Sequence, residues 1–159
     1  MRTAVDLSQL EVAPLSEVTP LSASSAYKGT SQNHMPHTLL LIDDNAIQAA
    51  TRQTILKRAG YFVIAVLDPR RALEQLRNNE YPARIDLIIT DHLMPSMIGS
   101  EFVTRLRTFS PNVPVLVISG MAEAEDEYQS LMVEFRLKPL LPDLLLARVH
   151  HLVESNSSL

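Results

Sequence analysis

From Thr38 onward, short apolar runs alternate with longer mixed segments, and each apolar run gives way to charged, proline or small polar residues. Leu39-Leu40-Leu41-Ile42 stops at Asp43-Asp44, and Tyr61 to Val66 stops just before Asp68-Pro69. Ile85 to Thr90 stops at Asp91, Val113 to Ile118 at Ser119-Gly120, and Val133 to Leu137 at Lys138-Pro139. Short, largely apolar runs of this kind suit strands covered on both faces, as in a parallel sheet. The segments between them carry helix signals. Asn45 is an N-cap, with Gln48 in capping-box spacing, for a helix reaching Ala59 and stopping at Gly60. Asp68-Pro69 opens a second helix to about Asn79. After the loop His92 to Ile98, Gly99 leads into a third that ends near Phe109. A short acidic fourth covers Ala122 to Met132, and a fifth runs from Pro142 to Val153.

Five strands alternating with five helices predict an α/β fold: a flavodoxin-like, doubly wound, five-stranded parallel sheet in order 2-1-3-4-5. The 159 residues suffice for one such domain, placed at 38–154. Residues 1–37 are rich in Ser, Thr and Ala, hold Pro14, Pro20 and Pro36, and read as a disordered leader. Within it, Leu7, Leu10, Val12, Leu15 and Val18 are a candidate docking segment. The polar residues 155–159 are expected to be a frayed tail.

Composition narrows the functional classes. A net charge of −4 lacks the dense basic face that nucleic-acid binding needs. No apolar run nears the ~20 residues that cross a bilayer, and no secretory signal opens the chain, so a cytoplasmic protein with neither nucleic acid nor membrane as partner is expected. The absence of cysteine excludes disulfides and thiolate metal sites. Four glycines give no phosphate-cradling loop.

In the predicted sheet all strand ends lie on one edge, and the first and third strands are neighbours at the switch point. Asp43, Asp44 and Asp91 would converge there, with Ser119 and Lys138 opposite. Close carboxylates raise one another's proton affinity. A hard divalent cation relieves that conflict, and oxygen ligands suit Mg²⁺. A nucleophile, a metal and a cation around one pocket are what phosphoryl transfer requires.

Taken singly, an acidic pair, a loop serine or a Lys-Pro step is ordinary. Four such elements in order, each at a strand end, are specific. Asp43-Asp44, the run Asp91-His92-Leu93-Met94-Pro95-Ser96-Met97-Ile98-Gly99, Ser119-Gly120 and Lys138-Pro139 together resemble the signature of response-regulator receiver domains of two-component signalling. The resemblance covers about Thr38 to Val153. It implies that Asp91 accepts a phosphoryl group from a phosphohistidine donor, a sensor histidine kinase or histidine phosphotransfer protein. It implies Mg²⁺ bound by Asp44 and Asp91, by Asp43 largely through water, and by the Leu93 carbonyl. Lys138 would pair with the phosphoryl oxygens, Ser119 would swing in as the switch, and Phe135 would follow as its coupled aromatic. A cis Lys138-Pro139 bond is also implied. Such a chain signals to a downstream protein, as a monomer or weak dimer, and is not itself an enzyme.

Competing readings lack their motifs. A cobalamin site wants Asp-x-His, where this chain has Asp91-His92-Leu93, and an aspartyl phosphatase wants Asp-x-Asp at the first strand. A constitutive interaction module that keeps the fold without phosphorylation is the alternative, and the intact set of five functional positions counts against it. No basic helix-turn-helix follows the fifth helix, so a DNA-binding regulator is not expected from this chain as given. His34, His37, His150 and His151 form no ligand-like group and are expected at the surface. Two departures from the family pattern stand out. Leu93 and Met121 place bulky apolar residues two positions after Asp91 and Ser119, where the family governs access of water. The stretch from Ser119 to Lys138 is also short and lacks a Gly-Ala turn, so the fourth helix is expected to be shortened or irregular.

Overall fold

The computed structural model describes residues 35–158. The leader up to His34, including the candidate docking residues Leu7 to Val18, lies outside the described residues. Five parallel strands, β1 (Thr38–Ile42), β2 (Phe62–Val66), β3 (Leu87–Asp91), β4 (Val115–Ser119) and β5 (Glu134–Leu137), form one sheet in the order β2-β1-β3-β4-β5. The register pairs Leu40 with both Ile64 and Ile88, Ile88 with Val115, and Leu116 with Glu134. The strands β1, β3 and β4 are buried along their whole length, which explains why they read as apolar runs without alternation.

Because successive side chains point to opposite faces, each strand feeds two cores. Leu40, Ile42, Ile88, Val115 and Val117 pack with Phe102, Val103 and Leu106 on one side. Leu39, Leu41, Leu87, Ile89, Leu116 and Ile118 pack with Leu56, Leu145, Val149 and Val153 on the other. The covering helices are α1 (Ala46–Arg58), α2 (Pro69–Arg77), α3 (Gly99–Arg107) and α4 (Pro142–Ser157), joined by a 3₁₀ helix over Ala122–Tyr128. Asn45 caps α1 by accepting from the Ile47 and Gln48 amides, and Asp68 caps α2 through the Arg70 amide. Gly60 takes φ +96° just beyond α1, the left-handed turn that suits glycine. No helix among the described residues is long and apolar enough to cross a membrane.

The structure corrects two local expectations. Helix α4 continues to Ser157, through residues expected to fray. Its stripe of Leu145, Val149 and Val153 is buried, and the Ser157 and Ser158 hydroxyls donate to the Val153 and Glu154 carbonyls, holding the polar end in the helix. The third strand begins at Leu87 rather than Ile85. There Asp86 serves as a clasp instead, its carboxylate accepting from the Thr38 amide at 2.9 Å while its own amide donates to the Thr38 carbonyl.

The shortening expected before the last strand is present: the 3₁₀ helix ends at Tyr128 and no α-helix occupies the segment. The chain then turns into β5 through Met132 at φ +50°. A single partly buried side chain holds this turn. Arg107 donates to the Leu131 carbonyl at 2.9 Å, Met132 at 3.0 Å, Ser110 at 3.2 Å and Val113 at 2.8 Å. A left-handed conformation costs an L-residue roughly 1–2 kcal/mol, while glycine's extra chain entropy costs roughly 0.5–1 kcal/mol. Met132 is largely exposed and loses little packing on truncation. Met132→Gly should therefore raise the unfolding free energy by about 0.5–1 kcal/mol in denaturant titration; a lower midpoint would show that the methionine stem is needed there.

Candidate functional site

The carboxyl ends of β1 and β3 bring three acids together. Asp43, Asp44 and Asp91 each offer an oxygen within 4.8 Å of the other two. Asp43 follows β1 and is fully buried, its amide donating to Val66 across the sheet. Asp91 ends β3 and is almost wholly buried, whereas Asp44 is exposed. Lys138, just past β5, donates from its amide to the Ser119 carbonyl at 2.7 Å, so the ladder carries it to the same edge. Its ammonium lies 2.7 Å from Asp91 Oδ2, and the Lys138-Pro139 bond is cis. The other oxygen, Asp91 Oδ1, accepts from the His92 amide at 3.0 Å.

Asp43 is held with both oxygens engaged. Oδ1 accepts from the Asn45 amide at 2.9 Å, and Oδ2 is bonded by Arg52 of α1. Burial pushes the Asp43 carboxyl above its ordinary value; the Asn45 amide and the Arg52 guanidinium pull it down, Asp91 pushes it up, and Lys138 pulls it down. Gln48, expected to close a capping box onto Asn45, turns elsewhere. Its Oε1 accepts from Lys138 Nζ at 3.1 Å and from Arg52 Nη2 at 3.2 Å. The spacing alone could not separate a cap from a bridge between two cations.

Ser119 is buried, and its hydroxyl engages its own loop, accepting from the Met121 amide at 3.0 Å and reaching the Met121 carbonyl at 3.3 Å. Phe135 is buried on β5 against Tyr128, ring centroids 5.7 Å apart. Tyr128 in turn meets His92, with Oη 2.8 Å from His92 Nδ1, and burial raises its hydroxyl well above the ordinary value, with Glu127 and then Asp91 adding to the shift. Glu127 bonds the Ser100 hydroxyl and lies 3.9 Å from His92 Nε2. Tyr128 and Glu127 were invisible as partners of His92 because they come from a segment 35 or more residues away. The Leu93 side chain is 56% exposed, and Met121 is partly buried against the core. Among the other histidines, His150 and His151 are exposed as expected. His37 departs from expectation: it is partly buried beside Asp86 at 3.6 Å. His34 lies outside the described residues.

An all-oxygen set with three carboxylates fits a hard cation, because hard ions prefer oxygen and the conflict among like charges is removed. A nucleophilic oxygen beside an ammonium, at the switch point of a parallel sheet, is suited to receiving a phosphoryl group.

Residues 39–150 match the response regulator receiver domain family, and the chain belongs to it. Among curated proteins, the putative two-component response regulator ARR21 of Arabidopsis thaliana is 34% identical over 76% of this chain and 19% of its own length. The cell cycle response regulator CtrA of Brucella ovis is 30% identical over 72% of this chain and 49% of its own. The chain spans about half or less of the length of these relatives. Among solved structures, the Vibrio cholerae chemotaxis protein CheY4 superposes with a TM-score of 0.66 at 28% identity, covering 74% of this chain and 99% of that one. A receiver protein from Sinorhizobium medicae gives 0.67 at 29%, covering 76% and 97%. This is a CheY-like receiver domain of two-component signalling.

One packing contact fixes where Asp91 ends. A Cβ at Gly99 would lie 2.5 Å from Tyr128 Oη, 2.7 Å from the Asp91 carbonyl and 3.0 Å from His92 Cα. Backbone cannot yield as a side-chain tip can. Gly99→Ala should cost about 1–3 kcal/mol in chemical denaturation; a change below the error of the measurement would mean that α3 shifts freely against β3.

Proposed function

We propose that Asp91 is the phosphoryl acceptor and that this chain relays the group, or its signal, from a phosphohistidine donor to a downstream protein. The observation that carries this reading is the Lys138 ammonium 2.7 Å from Asp91 Oδ2, with the Asp43 and Asp44 oxygens within 4.8 Å of Asp91. In the transfer an Asp91 carboxylate oxygen bonds to phosphorus as the phosphorus–nitrogen bond to the donor imidazole breaks; that nitrogen keeps the electron pair. Lys138 balances the charge gathering on the phosphoryl oxygens. Asp43, Asp44, Asp91 and the Leu93 carbonyl would hold Mg²⁺, which supplies neutralisation of the same oxygens.

Ser119 then exchanges its loop bonds to Met121 for a bond to the phosphoryl group. Phe135, packed on Tyr128, follows into the space vacated, and the face around the 3₁₀ helix changes for a partner to read. The donor is a sensor histidine kinase or a histidine phosphotransfer protein. The domain acts in the cytoplasm as a non-enzymatic module, a monomer or weak dimer, without binding nucleic acid itself. To the apolar side chains of Leu93 and Met121, two positions beyond Asp91 and Ser119, we assign a shielding role that gives a long-lived phosphorylated state.

Incubation with Mg²⁺ and acetyl phosphate should add one acid-labile phosphoryl mass, lost in Asp91→Asn and on chelation of the metal. Label at another residue in that variant would refute the assignment. The labelled protein should hold its phosphoryl group for minutes or longer, and Leu93→Asn should shorten that lifetime several-fold; decay of the native protein within seconds would remove the shielding role.

A further inference from the structure

Arg52 is a second cation at the acidic pocket, and the transfer chemistry does not use it. It lies on α1, one turn beyond Gln48, with its side chain 15% exposed against a fully buried Asp43. Its Nη1 bonds Asp43 Oδ2, and its Nη2 lies 3.2 Å from Gln48 Oε1. The same Gln48 oxygen accepts from Lys138, which bonds Asp91. A continuous chain of contacts thus runs Asp43–Arg52–Gln48–Lys138–Asp91 around the acids. Two of the three carboxylates are each matched by a cation, leaving Asp44 exposed with no ion pair among the described residues.

A guanidinium here does two things. It compensates a buried carboxylate that would otherwise stand uncompensated. It also places positive charge against the oxygens that a divalent ion would need, and like charges at such range repel strongly where water is scarce. We propose that Arg52 is the protein's own counterion at the metal pocket: it stabilises the metal-free domain and sets the Mg²⁺ concentration at which the pocket fills. The proposal rests on the receiver reading of the pocket. By reciprocity, whatever Arg52 takes from Mg²⁺ affinity, Mg²⁺ binding takes from the Arg52–Asp43 contact. Gln48 links the two cations, its Oε1 accepting from both, so a shift of Arg52 is felt at the bond that Lys138 makes to Gln48. Arg52 is a positioning residue in this sense, acting through Asp43 and Gln48.

The test is Mg²⁺ titration by calorimetry, together with the thermal midpoint in EDTA and in saturating Mg²⁺, for the full chain and for Arg52→Gln. The variant keeps a neutral donor for Asp43 and removes the charge. It should bind Mg²⁺ at least about fivefold more tightly, melt lower in EDTA, and gain more from Mg²⁺ than the native chain does. If it is unfolded in EDTA, the Mg²⁺ concentration that half-folds it, corrected for its unfolding equilibrium by linkage, gives the binding constant. Equal or weaker Mg²⁺ binding by the variant overturns the proposal alone, with the midpoint falling equally in both conditions as the mark of a merely structural arginine. Binding by neither protein, with no acetyl phosphate labelling of the native chain, overturns the receiver reading as well.

Discussion

Three like charges held within 4.8 Å at one sheet edge are the constraint to which the rest of this structure answers. Each acid that is buried has its oxygens matched separately: Asp43 by a backbone amide and Arg52, Asp91 by a backbone amide and Lys138. An uncompensated buried carboxylate would instead take up a proton or unfold the edge. The compensation depends on the ladder, because Asp43 and Lys138 are each tethered by a main-chain bond to the neighbouring strand and Asp91 lies in register with Ile118 of β4. A hard cation entering the pocket therefore meets a prepared set of oxygens, already in place and already partly neutralised.

The two sides of the pocket differ in how they are held. The β1 side is fixed by a capped helix, whose Asn45 side chain accepts two amides while its own amide bonds Asp43. The β4–β5 side is held more lightly. The Ser119 hydroxyl bonds its own loop, the following segment is a 3₁₀ helix, and the return to β5 passes through a left-handed methionine clamped by Arg107. Short, irregular segments with few buried apolar contacts open at lower free energy than sheets and α-helices. The segment to which the proposed switch is assigned is thus held more lightly than the β1 side.

Much of this was legible in the sequence, for reasons that particular residues illustrate. Leu39 to Ile42 lacks polar alternation because both faces of β1 are covered, and its abrupt end at Asp43 marks the edge where chemistry gathers. Asp68-Pro69 and Asn45 start helices by local bonding, which a sequence reports directly. What failed was nonlocal or had two equally local readings. Gln48 had the spacing of a cap and serves as a bridge between cations; Arg52 carries no local signal of its contact with Asp43, nine residues back. Nothing near His92 announced Tyr128, and the serine-rich end of α4 read as a tail because its hydrophobic stripe stops at Val153 while the helix does not.

The path from Asp91 to β5 is correspondingly short. His92 follows Asp91 directly, touches Tyr128, and Tyr128 packs on Phe135, so two side-chain contacts join the end of β3 to β5. Tyr128 also closes the 3₁₀ helix, whose Glu123, Glu125 and Asp126 are exposed. The buried residues of this helix are Ala124 and Tyr128, while the acidic side chains face outward. A displacement of the Tyr128 ring would act at the end of this exposed acidic segment, without an α-helix to bend or repack. A receiver domain with a short, acidic 3₁₀ helix at this place offers a different shape and charge from one with a full α-helix, above an edge where Asp43, Asp44, Asp91, Ser119 and Lys138 are all present.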